Sequence, residues 1–416
     1  MRTLTAVLAL VALTVACTAP AGSGEPIVLR VVLADDWASA PVVGEVVDAF
    51  ERDNPRVRVR LQGSPFSQIP EEVGAGVELG QPHDVAHWHA FAAAADGLAM
   101  PLDEAWEDAG LRADEYLPGA VEDVTWNDTR YGLPLDVNAL VLMANEALLD
   151  EAGVDAEDLL TPTSFRAAAS SLRSDTSADR AIAVTASSWA AYGWITANGG
   201  QLIDEVRDDG TPVFTFDDPA TIEALSLLVD LVATGDAPPP LAPDLSLDAI
   251  ASFTVGQTAM HVSGSWDLPT TRRAAQADTA VEDVAILPLP QQDPTSPRTV
   301  LGGSSLFVPV DAEHPDLAFE LMLALTADDV ALRLAAEEGR LPARARVYDD
   351  PLFTSSPDLA AFVAQLPSAE VMPLIAYPEV AAAFRDGLES ALAQRRSPAE
   401  AMAEVQAFAE RWAAQR

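Results

Sequence analysis

Residues 27–88 alternate between the two hydrophobic periods that decide between strand and helix. Ile27 to Leu33 is a short, mostly apolar run and reads as a buried strand. Pro41 opens a helix with Val43, Val46, Val47 and Phe50 on one face, at spacings of three and four. Val57, Val59 and Leu61 then alternate with Arg56, Arg58 and Arg60, the pattern of a half-buried strand. Ile69, Val73, Gly76 and Val77 predict a second helix, and Asp84 to Trp88 a third strand. Strands separated by helices in this order specify a parallel sheet with right-handed crossovers. Open α/β sheets bind ligands beyond the carboxyl ends of their strands. Those ends are Asp35-Asp36-Trp37, Gln62 to Phe66, and His87-Trp88-His89, so three loops deliver aromatic and hydrogen-bonding groups to one edge.

A second α/β pattern follows Pro134. Ala139 to Met143, Ala181 to Ala186, Thr258 to Val262 and Val284 to Leu287 read as strands, and Phe165 to Leu172 and Thr221 to Val232 as helices. Pro238-Pro239-Pro240 breaks the chain into a surface loop. Helices dominate from Pro315 to the stripe Ala401, Val405, Phe408 and Trp412. A chain of 416 residues exceeds one comfortable core, so two domains are expected. With 49% hydrophobic and 21% charged residues it is globular rather than disordered. The formal net charge is −40, and all 24 basic residues are arginine. Such a surface repels phosphate backbones, which excludes nucleic acid as a partner. It also disfavours anionic solutes unless arginines gather locally.

The N-terminus carries an address. Met1-Arg2 is followed by an apolar run from Leu4 to Val15 and by Val15-Ala16-Cys17, the layout of a secretory signal peptide over residues 1–16. The run is shorter than the roughly 20 residues of a membrane span. Cys17 is the only cysteine, so it forms no internal disulfide. Its setting resembles a bacterial lipobox, although Thr14 stands where Leu is usual. The resemblance implies a lipid on Cys17, worth about 0.8 kcal/mol per buried methylene. Residues 17–25 then read as a flexible tether to a domain held at the outer face of the cell membrane.

Several motifs in order resemble the extracellular solute-binding proteins of ABC importers, the maltose-binding-protein-like sugar-binding family. They are Tyr131-Gly132-Leu133-Pro134, Asn198-Gly199-Gly200, Phe253 to Met260 with Gly264-Ser265-Trp266, Gly302-Gly303-Ser304-Ser305, and Gly339-Arg340-Leu341-Pro342. The resemblance covers nearly the whole mature chain. It implies a periplasmic-binding-protein-like α/β fold with two lobes, a hinge and an interlobe cleft. The expected N-terminal lobe is 26–136 plus 304–343, and the C-terminal lobe 137–303 plus 344–416. The crossings are expected near Leu135 to Asn138, Gly303 to Phe307 and Arg340 to Arg346. The implied function is capture of a carbohydrate, with the number of rings pointing to an oligosaccharide, and delivery to the permease subunits by a monomer without a cofactor.

A sugar offers apolar C–H faces and a rim of hydroxyls, so rings and hydrogen-bonding groups must converge on it. By the resemblance, Trp266, Trp189 and Trp88 are stacking candidates, with Tyr192 and Trp194 undecided between ligand and core. Trp37 follows the first strand, and Asp35 or Asp36 either accepts from ligand hydroxyls or caps the next helix. Asn138 and Asp136 lie on a crossing strand, Gly303 belongs to the Gly-Gly-Ser-Ser motif, and Tyr377 precedes a late helix. Arg340 and Arg344 read equally as ligand contacts or as hinge ion pairs. Trp106, Trp126 and Trp412 are assigned to packing. His83, His87 and His89 form the only metal-like cluster, without Cys or an H-E-x-x-H pattern to support it. The competing readings are a receptor for glycerol phosphate, polyamine or metal, and a secreted carbohydrate-active enzyme. With 64 acidic residues, carboxylate pairs are inevitable and do not argue for the enzyme.

Overall fold

The computed structural model describes residues 26–207, 210–239, 246–277, 281 and 283–416. The leader, Cys17, the tether to Glu25 and Pro240 lie outside the described residues. The three strands expected in the first segment form as β1 (Ile27–Ala34), β2 (Val57–Ser64) and β3 (Val85–Trp88). β1 lies between the other two and is parallel to both, so all three carboxyl ends reach one edge. The helices between them are Pro41–Asp53, which buries Val42, Val43 and Phe50, and Ile69–Glu78, which buries Ile69, Val73 and Gly76. Val77, expected on that face, is exposed. At roughly 100° per residue it stands on the flank of the buried stripe rather than in it.

A hairpin of β4 (Thr125–Trp126) and β5 (Thr129–Arg130) leads into β6 (Gly132–Ala139), every residue of which is buried. β7 (Val141–Asn145), β8 (Arg180–Ile182), the hairpin β9 (Ile203–Val206) and β10 (Pro212–Phe214), β11 (Thr258–Ser263) and β12 (Val284–Leu287) follow. The chain then returns through β13 (Thr299–Phe307), β14 (Leu341–Pro342) and β15 (Ala369–Val371). The larger sheet has the order β14-β6-β13-β3-β1-β2, with β15 also on β13; the smaller is β12-β7-β11-β8. Helices Pro315–Leu325 and Asp328–Glu338 pack on Pro41–Asp53 and belong with the larger sheet.

The chain changes sheet at Leu140, beyond the crossing expected at Leu135 to Asn138, because β6 stays paired with β13 through Ala139. The strand expected over Ala139 to Met143 therefore straddles two sheets. The one expected over Ala181 to Ala186 shortens to β8, since β11 offers it partners only from Arg180 to Ile182. The expected division of the chain also needs amending at both returns. All of β13 belongs to the larger sheet, and residues 369–371 extend it by pairing with Thr299 to Leu301.

Candidate functional site

β6 and β13 run antiparallel, with Asp136 opposite Ser304 and Asn138 opposite Gly302. Alternation along a strand puts these four residues on one face. Asp136 is 4% exposed, and the Ser304 hydroxyl donates to its Oδ1 at 2.5 Å. Burial pushes the Asp136 carboxyl up to about 7, more than that hydrogen bond lowers it. The Arg340 guanidinium pairs with Asp36, stands 3.8 Å from Asp136 Oδ2 and lies 5.5 Å from the centroid of the Trp37 ring. Burial lowers its pKa to about 10, which leaves it charged at neutral pH. Gly303 has φ +125°, and a Cβ there would run into the Asp136 carbonyl, so only glycine allows the two strands this approach.

The carboxyl ends of β1, β2 and β3 add a ring cluster. Trp37 lies in the short helix Asp35–Ser39, where its N–H donates to Asp36 Oδ1 at 2.9 Å. Asp36 thus serves a helix start and Arg340 together. Phe66 follows β2 and packs against His87, Trp88 and His89 at centroid distances of 5.1, 4.5 and 5.4 Å. Trp37 meets the His87 edge at 5.4 Å. His87 accepts the Ala34 N–H on Nδ1, and burial drives its pKa down to about 3, so the ring is neutral. His89 Nδ1 lies 2.6 Å from Asp123 Oδ1. The Ser305 hydroxyl lies 2.8 Å from Asp123 Oδ2 and accepts the Ala90 N–H at 2.8 Å.

The smaller half contributes a second pair. Trp189 opens the helix Ser188–Ala197, whose start is capped by the Ser187 side chain. Its ring lies 5.7 Å from that of Trp266, tilted by 49°, and its Nε1–H donates to the Leu301 carbonyl of β13 at 3.4 Å. A Cβ at Gly302 would collide with Asn138 Oδ1 and the Trp189 ring, so glycine lets that ring reach the strand pair. Trp266 rides on the turn after β11, where Asp267 Oδ2 accepts from Ser263 Oγ at 2.5 Å and lies 3.0 Å from His261 Nε2. Asn138 Oδ1 is buried without a hydrogen-bond partner. The cavity bounded by His89, Asp123, Asp136, Gly303 and Ser304 measures about 10 Å³, against several hundred for small-molecule sites.

Two α/β halves meeting over a shared strand pair, with rings from both sides, match a known architecture. The sequence model of the bacterial extracellular solute-binding proteins matches residues 45–361. The chain belongs to that family. Among solved structures, the solute-binding fold of the maltose-bound MalE3 of T. maritima covers 92% of this chain and 99% of its own, with a TM-score of 0.80 at 20% identity. UgpB of Mycobacterium tuberculosis, in complex with glycerophosphocholine, covers 94% and 98% with a TM-score of 0.79 at 20% identity. A solute-binding protein of Thermotoga lettingae bound to α-D-tagatose covers 94% and 100%, also at 0.79 and 21% identity. Among the described residues no helix is long and apolar enough to cross a membrane.

Within this solute-binding fold the candidates divide. Asp36, Trp37, Trp88, Asp136 and Arg340 form one connected group, Asn138 and Gly303 lie on the strand pair with Trp189 against it, and Trp266 meets Trp189. Tyr377 stands apart, 6.3 Å from Trp126, 5.8 Å from Phe214 and 5.6 Å from Trp412, in a cluster with rings assigned to packing. Tyr192 is buried on the Trp189 helix, its hydroxyl pushed up in pKa by burial. Arg344 is taken up by Asp328 at 3.7 Å and the Tyr116 ring at 5.0 Å. Among the described residues no three His, Cys, Asp or Glu side chains converge as metal ligands. The histidines are instead divided, with His83 against Gly76, His87 on the Ala34 backbone and His89 on Asp123. Asp123 and Ser305 were not singled out for this site. They are 182 positions apart, and no local pattern links them.

Proposed function

We propose that this protein is the receptor of an ABC importer that captures a carbohydrate, in the form of an oligosaccharide, between its two halves and passes it to the permease as a monomer. The observation that supports this most is the arrangement of Trp88 on one half and the Trp189–Trp266 pair on the other, beside the strand pair that carries Asp136 and Asn138, with Trp37 as the buried backing of the first wall. Rings cover the C–H faces of a sugar, while acceptors held in a low-dielectric setting select its hydroxyls. Gly303 leaves backbone accessible beside them, and Asp36 with Arg340 fixes the Trp37 wall. Tyr192, buried on the Trp189 helix, supports that ring from behind, and Tyr377 falls outside the proposed set. Ligand contacts shared by both halves favour the closed state. Signal peptide and Cys17 fit a lipid anchor that keeps the receptor near its importer and raises its effective concentration there.

Binding without turnover is the reading for the buried polar network as well. Ser305 and His89 both turn to Asp123, so the hydroxyl is not handed to the imidazole as a nucleophile would require. Calorimetry against mono-, di- and oligosaccharides, with glycerophosphocholine and a polyamine as competitors, tests the proposal. Tight binding of an oligosaccharide supports it. Tight binding of a competitor with no saccharide signal, or release of shortened sugars, refutes it. Mass spectrometry of membrane fractions checks the anchor, which requires a diacylglyceryl mass on Cys17.

A further inference from the structure

Three helices end on left-handed glycines, Gly153, Gly235 and Gly339, at φ 62°, 79° and 67°. The left-handed cap alone is reason for glycine at each. A Cβ at Gly153 or Gly235 would stand in open space. At Gly339 it would fall inside contact distance of the Ser265 carbonyl oxygen, with Leu268 Cβ 3.5 Å away. Gly339 ends the Asp328–Glu338 helix of the larger half, whereas Ser265 lies two residues past β11 of the smaller half. Backbone therefore meets backbone across the two halves, with no flexible side chain to give way.

The neighbours of that contact matter. Ser265 precedes Trp266, and Gly339 precedes Arg340, so the contact lies beside one proposed stacking ring and beside the guanidinium over Trp37. The Ser265 turn is also fixed from behind. Asp267 ties it to β11 through Ser263 and His261, and His261 is 2% exposed. A turn anchored this way transmits displacement instead of absorbing it.

We propose that the Ser265–Gly339 backbone contact is the stop that sets how far the halves close, and that Asp267 is the positioning residue holding Ser265 and Trp266 at that stop. The inference rests on the reading that the halves open and close around a solute. A Cβ at position 339 props the halves apart and leaves the rings of one half short of a ligand held by the other.

The test uses spin labels at Leu79→Cys and Val255→Cys, one on each half and 77% and 54% exposed, in a Cys17→Ser background. Double electron–electron resonance then reads the distance across the halves with and without the saccharide panel. Gly339→Ala and Gly339→Asn, the latter tolerant of left-handed backbone, are expected to lose the short-distance population and to weaken binding roughly tenfold or more. Gly153→Ala carries the same cap strain without the contact and is expected to match wild type in both readouts. Asp267→Ala lowers affinity, and Asp267→Asn, which keeps one acceptor oxygen, restores most of it. Distance distributions and affinities of the Gly339 variants equal to those of Gly153→Ala overturn the proposal. So does a wild type without a short-distance population under any condition. If no saccharide binds, the carbohydrate reading falls, while the ligand-free distances still decide the stop.

Discussion

Trp37 and Trp266 come from opposite halves and are held in opposite ways. Trp37 is 4% exposed, wedged against His87 and under Arg340, in a cluster that Phe66 extends to Trp88 and His89. Trp266 is only partly covered, meets the Trp189 ring, and depends on a turn tied down by Asp267. In the larger half Trp37 and His87 are buried and fixed by packing, while Phe66 and Trp88 beside them are only partly covered. The smaller half carries rings whose burial remains to be completed. The difference separates a residue that holds the fold from one whose surface is available to a ligand, although both are tryptophans at one cleft.

Three substitutions break or sharpen that contrast. Trp37→Ala should cost about 3–5 kcal/mol of stability in urea unfolding, as for other buried aromatic truncations. A loss below about 1 kcal/mol would mean that the wall is not prebuilt. Asp136→Asn reports the charge within the wall. A carboxyl raised from 3.8 to about 7 contributes stability that is fully present below pH 4 and is lost as pH rises through 7. Wild type should therefore lose ground to Asp136→Asn across that window, by up to about 4 kcal/mol. Parallel pH profiles for the two proteins would show that Arg340 neutralises Asp136 fully. Trp266→Ala should barely move the unfolding midpoint yet weaken saccharide binding by about 1.5–3 kcal/mol, tenfold or more by calorimetry. Equal losses of stability from Trp266→Ala and Trp37→Ala would erase the comparison.

The larger half was also the more legible of the two in sequence. Parallel strands with amphipathic helices between them announce themselves through period alone, and the strand-end rule carried Trp37, Phe66 and Trp88 to one edge. What stayed hidden depends on register. Ser304 reaches Asp136 across 168 positions, and a shift in pairing between Ser304 and Ser305 lets the adjacent hydroxyls serve Asp136 and Asp123 separately. No local pattern encodes such a shift. Tyr377 was drawn to the ligand by its likeness to a region of the family that contributes an aromatic late in the chain, but its neighbours Trp126, Phe214 and Trp412 come from three distant stretches. The histidines looked metal-like because spacing shows proximity and not direction.

Leu140 joins the two sheets, and neither of its backbone groups is free. Its N–H donates to the Val300 carbonyl at 3.2 Å, and its carbonyl accepts the Thr299 hydroxyl at 2.7 Å. An engineer would class such a joint as a flexure rather than a pin, a strip clamped along its length that bends as a whole. Any swing of the halves about this joint would have to bend the β6–β13 ribbon itself. Loosening the clamp at Thr299 would widen the swing and weaken the return in one stroke.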